Sequence, residues 1–291
     1  MIKSMTGYGS ATYDFANVKY TVEIKSLNSK FLELTLKIPK AFSDKEFLLR
    51  NDCSKKIERG KVNISISIEY AETTIKTSTI NQPLLEHYYV QLKASATHLG
   101  DTGSNLLELA LNFPEVVQYI SEEGTEDEWK DLYKTFNAAL VNFQIFRQDE
   151  GDVLKKDLIL RINNILEGMK LISEQEPHRI PAIRERLNNF LDEAVGKENV
   201  DHNRFEQELI YYIDKLDITE EKIRLKSHCD YFIEALKDKD ANGKKLAFIS
   251  QEIGREINTM GSKANDAKMQ QIVVGMKEEL EKVKEQLLNV L

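Results

Sequence analysis

Val62-Asn63-Ile64-Ser65-Ile66-Ser67-Ile68 alternates apolar and polar residues without a break. A period of two belongs to a strand with one face on a core and the other in water. Two runs nearer the N-terminus carry the same signal: Tyr20-Thr21-Val22-Glu23-Ile24 and Phe31-Leu32-Glu33-Leu34-Thr35-Leu36-Lys37-Ile38. The Leu27-Asn28-Ser29-Lys30 turn between those two predicts that they form a hairpin. Residues 1–15, MIKSMTGYGSATYDF, read as a further strand with a glycine turn. A helix is expected from Ser43 to about Glu58, opened by a Ser43/Glu46 capping box and stopped by Arg59-Gly60.

Strand patterning runs over residues 1–75, after which the apolar spacing turns helical, from Leu84 to Leu99 and again from about Glu126. Leu154, Leu158, Ile162, Ile165, Met169 and Ile172 recur at three- and four-residue steps, marking a long amphipathic helix. Pro177 and Pro181 are expected to bracket a break before a helix carrying Ile183, Leu187 and Phe190. Further helices are predicted at about 203–215, 218–237, 243–258 and 266–288. In the last, Val273, Met276, Leu280, Val283 and Leu287 form a seam that suits either internal packing or a subunit contact. The fold class is therefore α+β, a sheet-containing N-terminal domain followed by a mostly helical half. The expected divisions are 1–125, an N-terminal domain; 126–200, a helical connector and oligomerisation region; and 201–291, a C-terminal helical domain.

With 291 residues, 41% of them hydrophobic and 30% charged, the chain has the composition of a soluble globular protein of about two domains. No apolar run approaches a membrane span or a signal peptide, and Cys53 and Cys229 make no CxxC pair. The cytoplasm is the expected location. The net charge of −8 is unevenly spread: residues 1–70 hold 12 Lys/Arg against 8 Asp/Glu. A basic N-terminal part can dock a phosphate backbone on an otherwise acidic protein, although an ordinary charge fluctuation accounts for it equally well.

Gly243 to Asp266, GKKLAFISQEIGREINTMGSKAND, is the richest segment chemically. Leu246, Ile249 and Ile253 face a core at helical spacing, while Glu252 and Glu256 share another face one turn apart. Two carboxylates at that spacing repel unless a cation lies between them. A divalent ion with oxygen ligands, Mg²⁺ or Mn²⁺, resolves the repulsion, and so do salt bridges to Arg224, Lys226 or Arg255. Asn258 to Lys263 read as a polar loop with Gly261 as a helix stop, suited to cradling phosphate on backbone N–H groups or to nothing more than a turn. Asn265 or Asp266 fits the next N-cap. Upstream, Asp217 and Glu220 have capping-box spacing, while Glu221 and His228 fall on one helix face two turns apart. They suit a ligand or acid/base pair, and equally a histidine packed at a helix contact. At the N-terminus, Tyr8, Lys30, Arg59 and Lys61 place aromatics and cations where a sheet edge can bind single-stranded nucleic acid, or where ordinary turns occur. GxxxxGK[ST], a strand–GxGxxG–helix unit, HExxH and GxSxG are all missing, which weakens nucleotide-hydrolase, dinucleotide-oxidoreductase, zincin and serine-hydrolase readings.

Several blocks in order resemble the YicC/YloC family of bacterial proteins: Ser4-Met5-Thr6-Gly7-Tyr8-Gly9, Glu23 to Leu32, Arg59-Gly60-Lys61-Val62, Arg147-Gln148-Asp149-Glu150-Gly151, Arg204 to Glu208, Asp217 to Glu221, Arg224 to His228, and Gln251 to Lys263. Ala247 stands where the family often has an aspartate. The resemblance implies a metal-dependent endoribonuclease acting on RNA as a ring-like homo-oligomer, with a hexamer as the expected form. On that reading Glu252 and Glu256 hold a divalent ion (Mg²⁺ or Mn²⁺), with Glu221 or His228 completing the shell or handling the proton of an attacking water. Arg224, Lys226, Arg255 and Lys263 neutralise phosphate oxygens, and Asn258 and Ser262 donate hydrogen bonds. Lys30, Arg50, Arg59, Lys61 and Arg147 contact the RNA backbone. A metal-free route, with the RNA 2′-hydroxyl attacking and His228 as base, stays open. The competing reading is a non-catalytic RNA-binding adaptor oligomer.

Overall fold

The computed structural model describes residues 2–15, 18–70, 78–100, 102–119, 124–196, 200–238 and 243–291. Residues 71–75 of the strand-patterned stretch lie outside them. Strands β1 (Gly7–Phe15), β2 (Val18–Leu27), β3 (Leu32–Lys37) and β4 (Gly60–Tyr70) form one sheet in the order β1-β2-β4-β3. The three alternating runs are strands, but the expected hairpin between the first two of them is not formed. β2 pairs antiparallel with β1, Gly7 opposite Ser26 through Phe15 opposite Val18, and with β4, Ile24 opposite Ile64. β3 is an edge strand parallel to β4 (Leu34 opposite Val62), so α1 (Glu46–Lys56) serves as the crossover that a parallel pair requires.

Gly7 and Gly9 make no turn; they lie inside β1. A Cβ on Gly9 would stand 2.4 Å from the Phe143 backbone nitrogen and 2.5 Å from the Ala139 carbonyl oxygen, so the glycines let the strand press on a helix. Nor does Ser43 cap α1. It lies in a 3-10 turn, Lys40–Lys45, where its hydroxyl donates to the Lys40 carbonyl, and Glu46 pairs instead with Arg50.

A small satellite follows: β5 (Ser78–Ile80), α2 (Gln82–Leu99), α3 (Leu106–Leu111) and β6 (Val117–Tyr119), with β5 and β6 antiparallel. Next comes α4 (Glu126–Val195), 70 residues opened by a Thr125/Glu128 capping box. At 1.5 Å per residue it is about 105 Å long. Its N-terminal half lays Leu132, Phe136, Ala139, Leu140 and Phe143 on the sheet, against Tyr20, Val22, Ile24, Val62, Ile64 and Ile66. Its C-terminal half gives Leu158, Ile162, Ile165 and Ile172 to a second core. The helix runs through Pro177 and Pro181 without the expected break. Both prolines are exposed, as is Ser173, so the carbonyls they leave without a donor (Ser173 and Pro177) face water. Ile172, Arg179 and Ile183 meanwhile continue the buried stripe past them.

α5 (His202–Leu216) follows, and the second core is completed by α6 (Thr219–Lys237), α7 (Gly243–Ala264) and α8 (Ala267–Leu287). The α8 seam, Val273 to Leu287, is buried within this chain against α4 and α7. The two ends of the chain meet where Ser4 pairs with Val290, with Met5 N–H donating to Asn289 O at 2.8 Å and Leu291 N–H to Lys3 O at 3.1 Å. Cys53 lies in one core and Cys229 in the other, and burial pushes each thiol up to about 12. Among the described residues no helix is long and apolar enough to cross a membrane.

Candidate active site

The polar segment Asn258 to Lys263 is helical, not a loop, and α7 continues to Ala264. Ile257, Met260, Gly261 and Ala264 prolong its buried stripe. Gly261 is packing rather than a stop: a Cβ there would stand 3.1 Å from Val273 Cγ1 on α8. The chain turns at Asn265 (φ 42°), and Asp266 caps α8 by accepting from Met269 N–H at 2.8 Å. A backbone phosphate cradle is therefore absent here, because these N–H groups are engaged in the helix. Asn258 and Ser262 lie on its exposed side, the Ser262 hydroxyl donating to Thr259 O at 2.8 Å.

α6 and α7 pack side by side and run in opposite directions. The Lys263 ammonium donates to Glu221 Oε1 at 2.8 Å and to the Asp217 carbonyl at 3.0 Å. Glu221 is buried, and its Oε2 has no hydrogen-bond partner among the described residues. Asp217 and Glu220 form no capping box. Asp217 accepts from the Thr219 hydroxyl and N–H, contacts that with nearby Lys263 hold its carboxyl below the usual range, while Glu220 pairs with Arg224. Counted from the Lys263–Glu221 contact along both helices, His228 comes level with the Glu252–Glu256 turn of α7.

Glu252 is held by Arg255, with Nη1 at 2.9 Å from Oε1. Glu256, by contrast, is 9% exposed and has no hydrogen bond or ion pair among the described residues, and half-buried His228 likewise has no hydrogen bond. A carboxylate taken out of water without a partner is unfavourable, so Glu256 is suited to receiving a cation. Around this face lie Arg224 and Lys226, which pairs with Asp230 at 3.3 Å, both in exposed ion pairs, and exposed Arg255, whose partner Glu252 is mostly buried. Such pairs are worth about 0–1 kcal/mol and exchange readily for phosphate.

The residues of the α6–α7 set are thus brought to one pair of helices, whereas the N-terminal set is dispersed. Arg50 ties α1 to β3 through the Leu34 carbonyl at 2.9 Å. Arg59 donates to Val290 O at 2.8 Å, and buried Arg147 donates from Nε to Ser4 O at 2.6 Å. Lys30 lies over the Phe31 ring, and Lys61 projects from the solvent face of the sheet. Among the described residues no three His, Cys, Asp or Glu side chains converge closely enough to hold a metal ion.

Residues 2–156 match the family model "Endoribonuclease YicC-like, N-terminal region", and residues 172–291 match "Endoribonuclease YicC-like, C-terminal". The chain belongs to the YicC-like family. It is 30% identical over 292 residues, 100% of both chains, to a probable endoribonuclease YicC of Clostridioides difficile (strain 630). A probable endoribonuclease YicC of Haemophilus influenzae is also 30% identical over 292 residues, again covering 100% of each.

Several blocks that carry the YicC-like resemblance prove to clasp the N-terminal segment to the middle of α4. The Thr6 hydroxyl donates to Glu150 Oε2 at 2.9 Å, and a Cβ on Gly151 would stand 2.2 Å from Ile2 O. One residue of the α6–α7 region escaped the sequence reading. Arg179, buried on α4, donates to Lys263 O at 3.2 Å, Ala264 O at 3.5 Å and Leu216 O at 2.8 Å. It caps the C-termini of α7 and α5 together and so fixes the backbone that carries Lys263. Its signal was present: an arginine seven residues after Ile172 and four before Ile183, in an otherwise apolar stripe.

Proposed function

We propose that this chain is an endoribonuclease that cuts RNA on the α6–α7 face. The observation that carries the reading is mostly buried Glu256 at the level of His228, neither with a hydrogen-bond partner among the described residues, beside cations held in ion pairs. A scissile phosphate lying here is neutralised as Arg224, Lys226 and Arg255 exchange their carboxylates for its oxygens. His228 takes the proton of the attacking oxygen, a role suited to an imidazole that has no other hydrogen bond among the described residues. Lys263 is anchored by Glu221 and by the Asp217 carbonyl at the end of this face.

A divalent ion fits in a restricted form. The donors present are two carboxylates, Glu252 and Glu256, one of them uncompensated, and Mg²⁺ is commonly held by one or two carboxylates plus substrate phosphate and water. Bound there, the ion would supply charge stabilisation at the phosphate and a more acidic water. Glu221, engaged by Lys263, has a positioning role instead.

The same reading takes the chain as a cytoplasmic homo-oligomer, with a hexamer expected. In its support, a groove of about 600 Å³ between the end of α4 and α5 is lined by Leu187, Phe190, Phe205 and Tyr211, and Phe190, Ile210 and Tyr211 are left exposed. Faces of that kind mark contact surfaces.

Incubation of the purified protein with labelled RNA, with and without Mg²⁺ or Mn²⁺, tests the activity. Glu256→Gln and His228→Ala are each expected to slow cleavage by about 100-fold or more while RNA binding persists. RNA binding with no cleavage by the unaltered chain would instead establish the adaptor reading.

A further inference from the structure

Three exposed side chains on the α6–α7 face have no part in the chemistry above. Tyr231 is 46% exposed and Phe248 63% exposed, and the Lys245 ammonium lies over the Tyr231 ring at 5.0 Å from its centroid. That contact places Tyr231 of α6 and Lys245 of α7 on the same side of the helix pair. Phe248 follows Lys245 by one helical turn and precedes Glu252 by one turn, so Lys245, Phe248 and Glu252 form one outward row on α7. On α6, Tyr231 lies three residues beyond His228.

Exposed rings alone are ordinary, but these two stand on the same helix pair as the proposed reacting groups. The cations argue for what the rings bind. Lys245 covers a ring, and Lys226 borders the same side of α6 within a shallow depression also lined by Ile223, Ser227, Asp230, Tyr231 and Glu234. Aromatic faces interleaved with ammonium groups are complementary to unpaired nucleobases joined by phosphates: the rings stack on bases and the lysines meet the backbone. A duplex keeps its bases stacked on one another and offers these rings no face.

We propose that Tyr231 and Phe248 are a base-stacking platform, with Lys245 as the phosphate contact between them, so that RNA is single-stranded where it crosses α6–α7. This rests on the α6–α7 face being the RNA site, and it goes further by naming the form of RNA taken. Neither ring is in the cleavage machinery.

The test uses the full chain carrying Glu256→Gln, so that the RNA stays intact. Its probe is a single-stranded RNA dodecamer with one 2-aminopurine, alone or annealed to its complement. The single strand is expected to bind more tightly than the duplex and to change its 2-aminopurine emission on binding. Phe248→Ala or Tyr231→Ala should weaken single-strand binding by about five- to hundredfold and remove the emission change. Phe248→Tyr should preserve both, and Phe248→Leu should not. Equal affinity for the duplex, or Phe248→Leu behaving as the parent, overturns the proposal. So does a change of oligomeric state in Phe248→Ala, which would make the ring a subunit contact. Stacked binding by a chain that never cuts RNA would leave this inference standing and remove the nuclease reading.

Discussion

Lys263 and Glu221 join the last turn of α7 to the first turn of α6 through a 2.8 Å ion pair. The carboxylate is nearly enclosed, with 9% of its side chain exposed against 33% for the lysine. The pair therefore locks the relative register of the two helices that carry His228 and Glu256. On the proposed reading, that register, rather than any single motif, is what brings the candidate site together on the α6–α7 face.

Removing the lysine alone should be costly. Lys263→Met strands a buried carboxylate, and the loss expected for breaking such a pair, lessened because Lys263 is partly exposed, is about 2–3 kcal/mol. Glu221→Leu combined with Lys263→Met should recover most of that, because no charge is then left buried. Urea unfolding of the two variants is the measurement. A single variant as stable as the parent would show that the pair carries no structural load.

Arg179 offers a second test, with a readout beyond stability. Arg179→Ala leaves the Leu216, Lys263 and Ala264 carbonyls short of a donor at two helix ends, a loss of about 3 kcal/mol. Arg179→Lys keeps the charge but cannot span three carbonyls with one ammonium, so it should fall between. Because Arg179 touches no RNA on this reading, its lysine variant should lower kcat with little change in KM. A pure rise in KM would place Arg179 in RNA binding instead.

Local pattern was a sound guide wherever one residue row faces one environment. β4 shows its Val62 to Ile68 alternation in the sequence, and α8 shows its seam. Pairing was less accessible, because β3 carries the same alternation whether it joins β2 in a hairpin or β4 through a crossover. Pro177 and Pro181 misled because a proline breaks a helix only when the freed carbonyl has nowhere to turn, and exposure on α4 provides water. Gly261 misled in the opposite sense, since a glycine can mark a close helix crossing as well as a helix end. At the candidate site, Glu221, His228, Glu252 and Glu256 were legible as same-face spacings. Which of them would be left without a partner depends on Lys263 and Arg255, whose reach no spacing states.

The network around Glu279 predicts a pH dependence. Lys282 donates to its carboxylate at 2.6 Å, Asn164 at 2.9 Å and Arg161 at 3.3 Å, and these contacts, Lys282 foremost, hold its pKa down to about 2. An unfolded glutamate titrates near about 4.3. The folded state therefore binds the proton less readily, so the contribution is complete above the unfolded value and fades as pH falls toward 2. The helices it joins, α4 and α8, are the spine of the second core, so the loss should register in global unfolding. Glu279→Gln, which cannot ionise, should be less stable than the parent by about 1–2 kcal/mol at pH 6. The two proteins should converge as the pH is lowered from 5 to 2.5, followed by urea unfolding at each pH. A gap that stays constant over that range would mean that packing, and not charge, sets the cost of the substitution.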